Sequence, residues 1–224
     1  MRQNLWDNKG IALNRQIRRS QVVKKSLDRN STMLLDIGCA EGFTTNFIKN
    51  IAETVIGLEL NFEILKIAIK KVTTMHFLNA SIEFLPFREK TFDAVTILEV
   101  LEHLPTQLQV DGLREASRVL QSPGTLIISV PYKEQRTFTT CIHCNKDTPL
   151  YGHLHSLDED MIGSILPNRL FEPVKKYYLP HLEMISCLNI FRFLPLSAWL
   201  RINNILGKFN VMRGYWIVLK YIKI

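Results

Sequence analysis

The chain has 224 residues, 46% of them hydrophobic and 22% charged, and its net charge is +7. That length suits one α/β domain with a small insertion, and the composition excludes a disordered chain. The excess positive charge sits in Arg15-Gln16-Ile17-Arg18-Arg19 with Lys24-Lys25, and again after Lys175. Such clusters can attract a nucleic acid, an anionic membrane or a phosphorylated substrate. With no arginine-rich run interleaved with aromatics there is no strong nucleic-acid signal, so a solvated basic helix face is expected.

The start, Met1-Arg2-Gln3-Asn4-Leu5-Trp6-Asp7, carries no apolar core of the kind a secretory signal needs. The most apolar region, residues 184–200, is interrupted by Asn189, Arg192 and Pro195. A transmembrane span needs about 20 largely apolar residues, so none is expected. The expectation is a cytoplasmic protein with its four cysteines reduced.

Residues 1–30 carry Ile11, Leu13, Ile17, Val22, Val23 and Leu27, a spacing that predicts one or two amphipathic helices packed on a larger body. A strict alternation follows. Strands are predicted at 33–37, 54–59, 75–78, 92–98 and 125–130, and helices at 43–51, 64–72 and 108–120, with Ser122-Pro123-Gly124 as the turn into the fifth strand. Short apolar runs ending in a carboxylate or glycine read as buried parallel strands. Strands alternating with helices argue for a doubly wound, Rossmann-like parallel sheet with helices on both faces. After Pro131 the rhythm stops. Residues 132–156 form a polar Cys/His-containing insertion, and a helix at 157–166 is expected to start on Ser156. Late strands are predicted at 171–179 and 214–222, making a seven-stranded sheet, with an apolar helical cover at 183–207 bent or broken near Pro195. The whole chain, 1–224, reads as a single domain.

The strongest motif is Leu34-Leu35-Asp36-Ile37-Gly38-Cys39-Ala40-Glu41-Gly42-Phe43, between a predicted strand and a predicted helix. Gly38 permits a tight turn, and the missing side chains at Gly38 and Gly42 are expected to let a ligand approach the backbone. The helix start near Gly42 is expected to offer free N–H groups to that crevice, the switch point of an open sheet. Glu59 ends the second strand about 20 residues later, where a carboxylate can accept both hydroxyls of a ribose. Asn79-Ala80-Ser81 follows the third strand, and Glu99-Val100-Leu101-Glu102-His103 follows the fourth. A dinucleotide site would want G-x-G-x-x-G, which Gly38 and Gly42 do not supply.

With these motifs, and with Leu85-Pro86-Phe87 before Phe92-Asp93 and the run from Glu115 to Leu126, the sequence resembles the class I S-adenosylmethionine-dependent methyltransferases, particularly those acting on small molecules, quinones and lipids. The resemblance is dense over residues 31–131. It implies that one of the seven strands, at 214–222, runs antiparallel. It implies that Asp36, Gly38, Cys39, Ala40 and Gly42 hold the methionine part of S-adenosylmethionine and that Glu59, with Leu60 beside it, binds the ribose. Asn79, Ala80 and Ser81 would meet the adenine, and Leu98 and Glu99 the amino end and the methyl. Ala40 and Asn79 stand where the family often has glycine and aspartate. Asparagine can still accept through its carbonyl oxygen. The implied function is methyl transfer to a small-molecule or lipid-like acceptor. The alternative is a non-catalytic S-adenosylmethionine-binding or metal-stabilised interaction protein.

The insertion holds Cys141-Ile142-His143-Cys144 and His153-Leu154-His155. Cys141, Cys144, His153 and His155 could hold a structural zinc. The other reading is a polar lid loop with reduced thiols and a histidine facing the cleft. Cys39 and Cys187 read as buried small hydrophobes. Candidates for a general base are Glu102, His103, His153 and His155. His103 reads more simply as a residue at a helix start, so no catalytic residue is assigned.

Overall fold

In the computed structural model the described residues are 5–7, 9–28, 31–167, 169–179, 193–208 and 216–224. A short 3-10 helix, Leu5–Asp7, precedes helix α1 (Gly10–Ser26). Then come β1 (Ser31–Ile37), α2 (Phe43–Ile48), β2 (Ala52–Glu59), α3 (Phe62–Lys71), β3 (His76–Asn79) and β4 (Phe92–Leu98). A 3-10 helix, Leu101–His103, leads to α4 (Thr106–Val119) and β5 (Leu120–Pro131). The insertion carries a two-stranded hairpin, β6 (Phe138–Thr140) with β7 (Asp147–Pro149). The chain continues with α5 (Glu159–Ile165), β8 (Phe171–Leu179), α6 (Leu196–Lys208) and β9 (Trp216–Lys223).

The sheet has seven strands in the order β3-β2-β1-β4-β5-β9-β8. The first five pair in parallel, and β9 runs antiparallel to both β5 and β8. Alternation along each strand feeds two cores. Leu35, Val95, Ile97, Ile128 and Leu219 face one core, which takes Leu113 and Ala116 of α4 and Ile162 of α5. Leu34, Ala94, Ile127 and Val218 face the other, which takes Val22 and Val23 of α1, Ile48 of α2 and Trp199 of α6. Side chains alternate across a strand, so neighbours such as Leu34 and Leu35 must enter opposite layers. Each fully buried leucine contributes about 1.5–3 kcal/mol.

Two expectations change. Strand β5 begins at Leu120 rather than Thr125, because Leu120 aligns with Phe92 and Gly124 with Lys223 through the stretch read as a turn. Helix α5 is capped by Asp158, not Ser156: its carboxylate accepts the N–H groups of Asp160 and Met161. Among the described residues the cover helix α6 starts directly after Pro195, in keeping with a break there, and the Pro195 carbonyl accepts the Trp199 N–H at 3.0 Å. Of the cover predicted at 183–207, residues 183–192 lie outside the described residues, as do Cys187, Gly214 and Tyr215. No helix among the described residues is long and apolar enough to cross a membrane.

Candidate functional site

The parallel strands end on one edge, and the loops after β1, β2, β3 and β4 meet where the strand order reverses, between β1 and β4. The loop after β1 is shaped by its backbone. Gly38, Ala40 and Gly42 all have positive φ, at 72°, 47° and 77°. Leu58 O accepts the N–H groups of both Gly38 (2.7 Å) and Cys39 (3.0 Å), so the loop is tied to β2. Glu59 tightens the same tie: Oε2 accepts from Ala40 N at 3.1 Å and Oε1 from Asn61 N at 2.8 Å. A carboxylate offers about four acceptor positions, so two remain for a ligand's hydroxyls. Asp36 lies beneath the loop, 2% exposed, accepting from the hydroxyls of Thr45 and Thr96 at 2.6 Å each. Its burial raises its pKa despite those two hydrogen bonds.

Two lobes of a cleft meet at Gly38, Ala40, Glu99 and His103. One, of about 410 Å³, is lined by Glu59, Leu60, Ala80 and Ser81. The other, of about 380 Å³, is lined by Arg19, Asp36, Leu98, Tyr151, His153 and Trp216. Cavities of this size suit a cofactor or small ligand. Arg19 reaches the second lobe from α1, 4% exposed, pairing with Glu99 at 3.2 Å and lying 4.8 Å over the Trp216 ring. Glu99 also accepts from Ser129 Oγ at 2.9 Å. The 3-10 helix after β4 places Glu102 under the cleft wall, and burial together with negative Glu99 raises its pKa well above the ordinary carboxylate range. His103 Nδ1 lies 3.1 Å from Gly152 O, and His153 Nδ1 meets the Glu134 carboxylate.

Residues 35–128 match the family model described as "Methyltransferase domain". Over these residues the chain carries a methyltransferase domain. It is 29% identical over 167 residues to a Mycobacterium tuberculosis protein named "Probable S-adenosylmethionine-dependent methyltransferase", an alignment covering 73% of this chain and 58% of the relative. To the demethylmenaquinone methyltransferase of Thermotoga maritima it is 30% identical over 112 residues, covering 49% of this chain and 48% of that protein. The chain spans about half the length of these two curated relatives. A crystal structure of a Pyrococcus horikoshii protein shares the fold, with a TM-score of 0.68 at 13% identity, covering 97% of this chain and 93% of that one.

Within this methyltransferase domain, Asp36, Gly38, Cys39, Ala40, Glu59, Leu60, Ala80, Ser81, Leu98 and Glu99 all line the two lobes. Gly42 and Asn79 do not. A Cβ on Gly42 would stand 3.3 Å from both Ala68 and Val72, so this glycine admits α3 rather than a ligand. Its N–H is not free either, since Cys39 O accepts it at 2.9 Å. The Asn79 amide donates to the carbonyls of Glu59 and Leu60 at 2.8 and 2.7 Å, lacing β3 to the end of β2. At Gly38 the space for a Cβ is filled by Val100, 2.3 Å away, rather than left open for a ligand. Cys39 is the buried small hydrophobe expected: burial, with Asp36 and Glu59 nearby, pushes its thiol far up.

The zinc set also changes. Cys141, Cys144, His153 and His155 are not brought together; among the described residues the ligand-spaced group containing any of them is Glu102, His103 and His153. His153 faces the cleft and is held by Glu134. On the hairpin, the Cys141 thiol is lowered by the N–H groups of Cys144 and His143, as in a knuckle, but no histidine joins it. His103, read as a helix-start residue, lines both lobes.

The basic face of α1 is not solvated throughout. Arg18 and Arg19 are buried, Arg18 bonding Leu194 O at 2.7 Å and lying 5.4 Å over Trp199. One signal was available: Arg18 and Arg19 stand one helical turn before Val22 and Val23, on the apolar face. Tyr151 and Trp216 had no such signal, because only tertiary packing brings them to the cleft.

Proposed function

We propose that this chain, acting as one methyltransferase domain, binds S-adenosylmethionine across the two lobes and transfers its methyl group to a small-molecule or lipid-like acceptor. The observation that carries this reading is the continuous cleft with a carboxylate that keeps spare acceptor positions at one end and imidazoles at the other. Glu59 has acceptor positions left for the two ribose hydroxyls, while Ala80 and Ser81 offer a wall along the adenine. When bound, the cofactor supplies an electrophilic methyl group on a sulfonium, and the protein supplies position and electrostatics. Leu98 and Glu99 would approach the amino end. His103, Tyr151 and His153 line the side from which an acceptor would arrive. The acceptor class is supported by the quinone-directed name of the Thermotoga relative.

Calorimetric titration with S-adenosylmethionine, its demethylated product and NAD tests the binding. The first two should bind once per chain, with no competition from NAD; a competing NAD would overturn the reading. Transfer of labelled methyl to demethylated quinones or a lipid extract then separates an enzyme from a binding protein.

A further inference from the structure

We propose that Glu102, His103 and His153 form a binding site for one divalent first-row metal ion, with an open coordination position facing the cleft. The inference deepens the methyltransferase reading and rests on it for the identity of the cleft.

The three residues come from two separate parts of the chain. Glu102 and His103 belong to the 3-10 helix after β4, and His153 to the insertion. One ligand atom from each lies within 4.8 Å of the others. Bonds of about 2.0–2.2 Å require ligand atoms roughly 3–4 Å apart, so small side-chain rotations would close the set.

The Glu102 carboxylate is an independent observation that points to a cation ligand. It is 1% exposed, and neither of its oxygens has a hydrogen-bond partner. A buried carboxyl without partners is costly, by several kcal/mol when charged, unless a cation or donor arrives. Its backbone serves the same junction: Glu102 O accepts the N–H groups of Leu154 at 2.7 Å and His155 at 3.2 Å, drawing the insertion onto this wall.

Both imidazoles are prepared for ligation. His103 Nδ1 faces Gly152 O at 3.1 Å, which selects the Nδ1–H tautomer and puts the lone pair on Nε2. His153 Nδ1 faces Glu134 in the carboxylate–histidine arrangement that orients metal ligands. The rings stand edge to face, their centroids 4.8 Å apart. Two imidazoles and one carboxylate suit zinc, iron, cobalt or manganese, and three protein ligands leave a position for water or an acceptor's oxygen. His103 and His153 share their lobe with Gly38, Leu98 and Glu99, so that position adjoins the expected methyl. The ion would also clamp the insertion to the sheet edge.

The test is titration of the full, untagged chain, treated with chelator, with cobalt(II) and zinc(II), read by visible absorption and competition with a chromophoric chelator. One cobalt per chain is expected, without the intense near-ultraviolet band of thiolate ligation. It should persist in Cys141→Ser/Cys144→Ser and weaken at least tenfold in His153→Asn and Glu102→Gln. Metal should also protect the insertion from proteolysis. His153→Asn guards against a folding defect in the buried Glu102 variant. No binding tighter than that of the double His153→Asn/Glu102→Gln variant would overturn the proposal, as would a thiolate band lost in Cys141→Ser. S-adenosylmethionine titrated into the chelated protein keeps the two readings apart: cofactor binding there without any metal binding would sink the metal site alone.

Discussion

Arg19 of α1 and Glu99 at the end of β4 form an ion pair at 3.2 Å, with side chains 5% and 21% exposed. The pair fastens the N-terminal helix over the cleft, and Trp216 beneath the guanidinium fixes its plane. Breaking one partner of a largely buried pair strands the other. Arg19→Ala should therefore cost about 2–3 kcal/mol in urea unfolding, with some of the penalty relieved by water reaching Glu99. Arg19→Ala/Glu99→Gln should cost clearly less than the sum of the singles, as coupled sites do. Lys66→Ala, at the exposed Lys66–Glu63 pair, should change stability by less than about 0.5 kcal/mol. Equal effects at the two pairs would remove Arg19 from any structural role.

The parts of this molecule that were legible are those where one short segment decides the outcome. Phe92–Leu98 was readable as a strand to the residue, because an apolar run bounded by polar turns specifies itself, and Phe171–Leu179 was readable to the same precision although much of it is polar. The loop from Gly38 and the carboxylate at Glu59 were readable as parts of the cleft because turn chemistry and strand ends shape the switch point of an open sheet. What stayed hidden depends on distant partners. Gly42 is glycine because α3 lies against it, Gly38 because Val100 does, and Arg19 is buried because a tryptophan almost 200 residues later covers it. Spacing groups His153 with cysteines in its own insertion, and the fold turns it toward Glu102 and His103 instead.

Gly38 is constrained twice, by φ of 72° and by Val100 standing 2.3 Å from where a Cβ would be. Gly38→Ala should destabilise by about 2–4 kcal/mol, combining left-handed strain with overpacking. Trimming the neighbour separates the two. Gly38→Ala/Val100→Ala should cost less than the two single changes added together, leaving about 1–2 kcal/mol of backbone strain. Strict additivity of the singles in chemical denaturation would show that Val100 is not the obstacle.

Glu115 gives stability a dependence on pH. Its carboxylate takes Arg118 Nε at 2.6 Å and Nη2 at 2.8 Å, and accepts Leu85 N at 3.0 Å, while Arg118 also bonds the carbonyls of Leu85 and Phe87. The Arg118 hydrogen bond comes first among the causes that hold its pKa below the ordinary 4.5. A depressed carboxylate binds its proton later in the folded state than in the unfolded one. Its contribution is thus complete above the unfolded value of about 4.5 and fades as pH falls through the lower folded value. Glu115→Gln should lose about 1–2 kcal/mol at neutral pH, and the gap to the parent should narrow as pH drops below 4.5. A gap that stayed constant down to acid unfolding would show that Glu115 is not the titrating group.

Glu59 has two duties, and two substitutions separate them. It braces the loop through Ala40 N and Asn61 N, and it faces the lobe proposed for the nucleoside. Glu59→Ala removes both, leaving two backbone donors without their acceptor. It should weaken S-adenosylmethionine binding by about 1–3 kcal/mol, or roughly 5- to 150-fold, and lower thermal stability as well. Glu59→Gln keeps the length and one carbonyl acceptor but turns an NH2 toward the other backbone N–H, so it should lose less stability than Glu59→Ala. Its amide cannot accept from two ribose hydroxyls while bracing the loop, so cofactor affinity should still fall about tenfold. The contrast between variants decides the point. Affinity lost in both, with stability lost chiefly in the alanine form, assigns Glu59 to the ligand. Full affinity in Glu59→Gln would leave it as a brace for the loop and move the ribose contact elsewhere in the cleft.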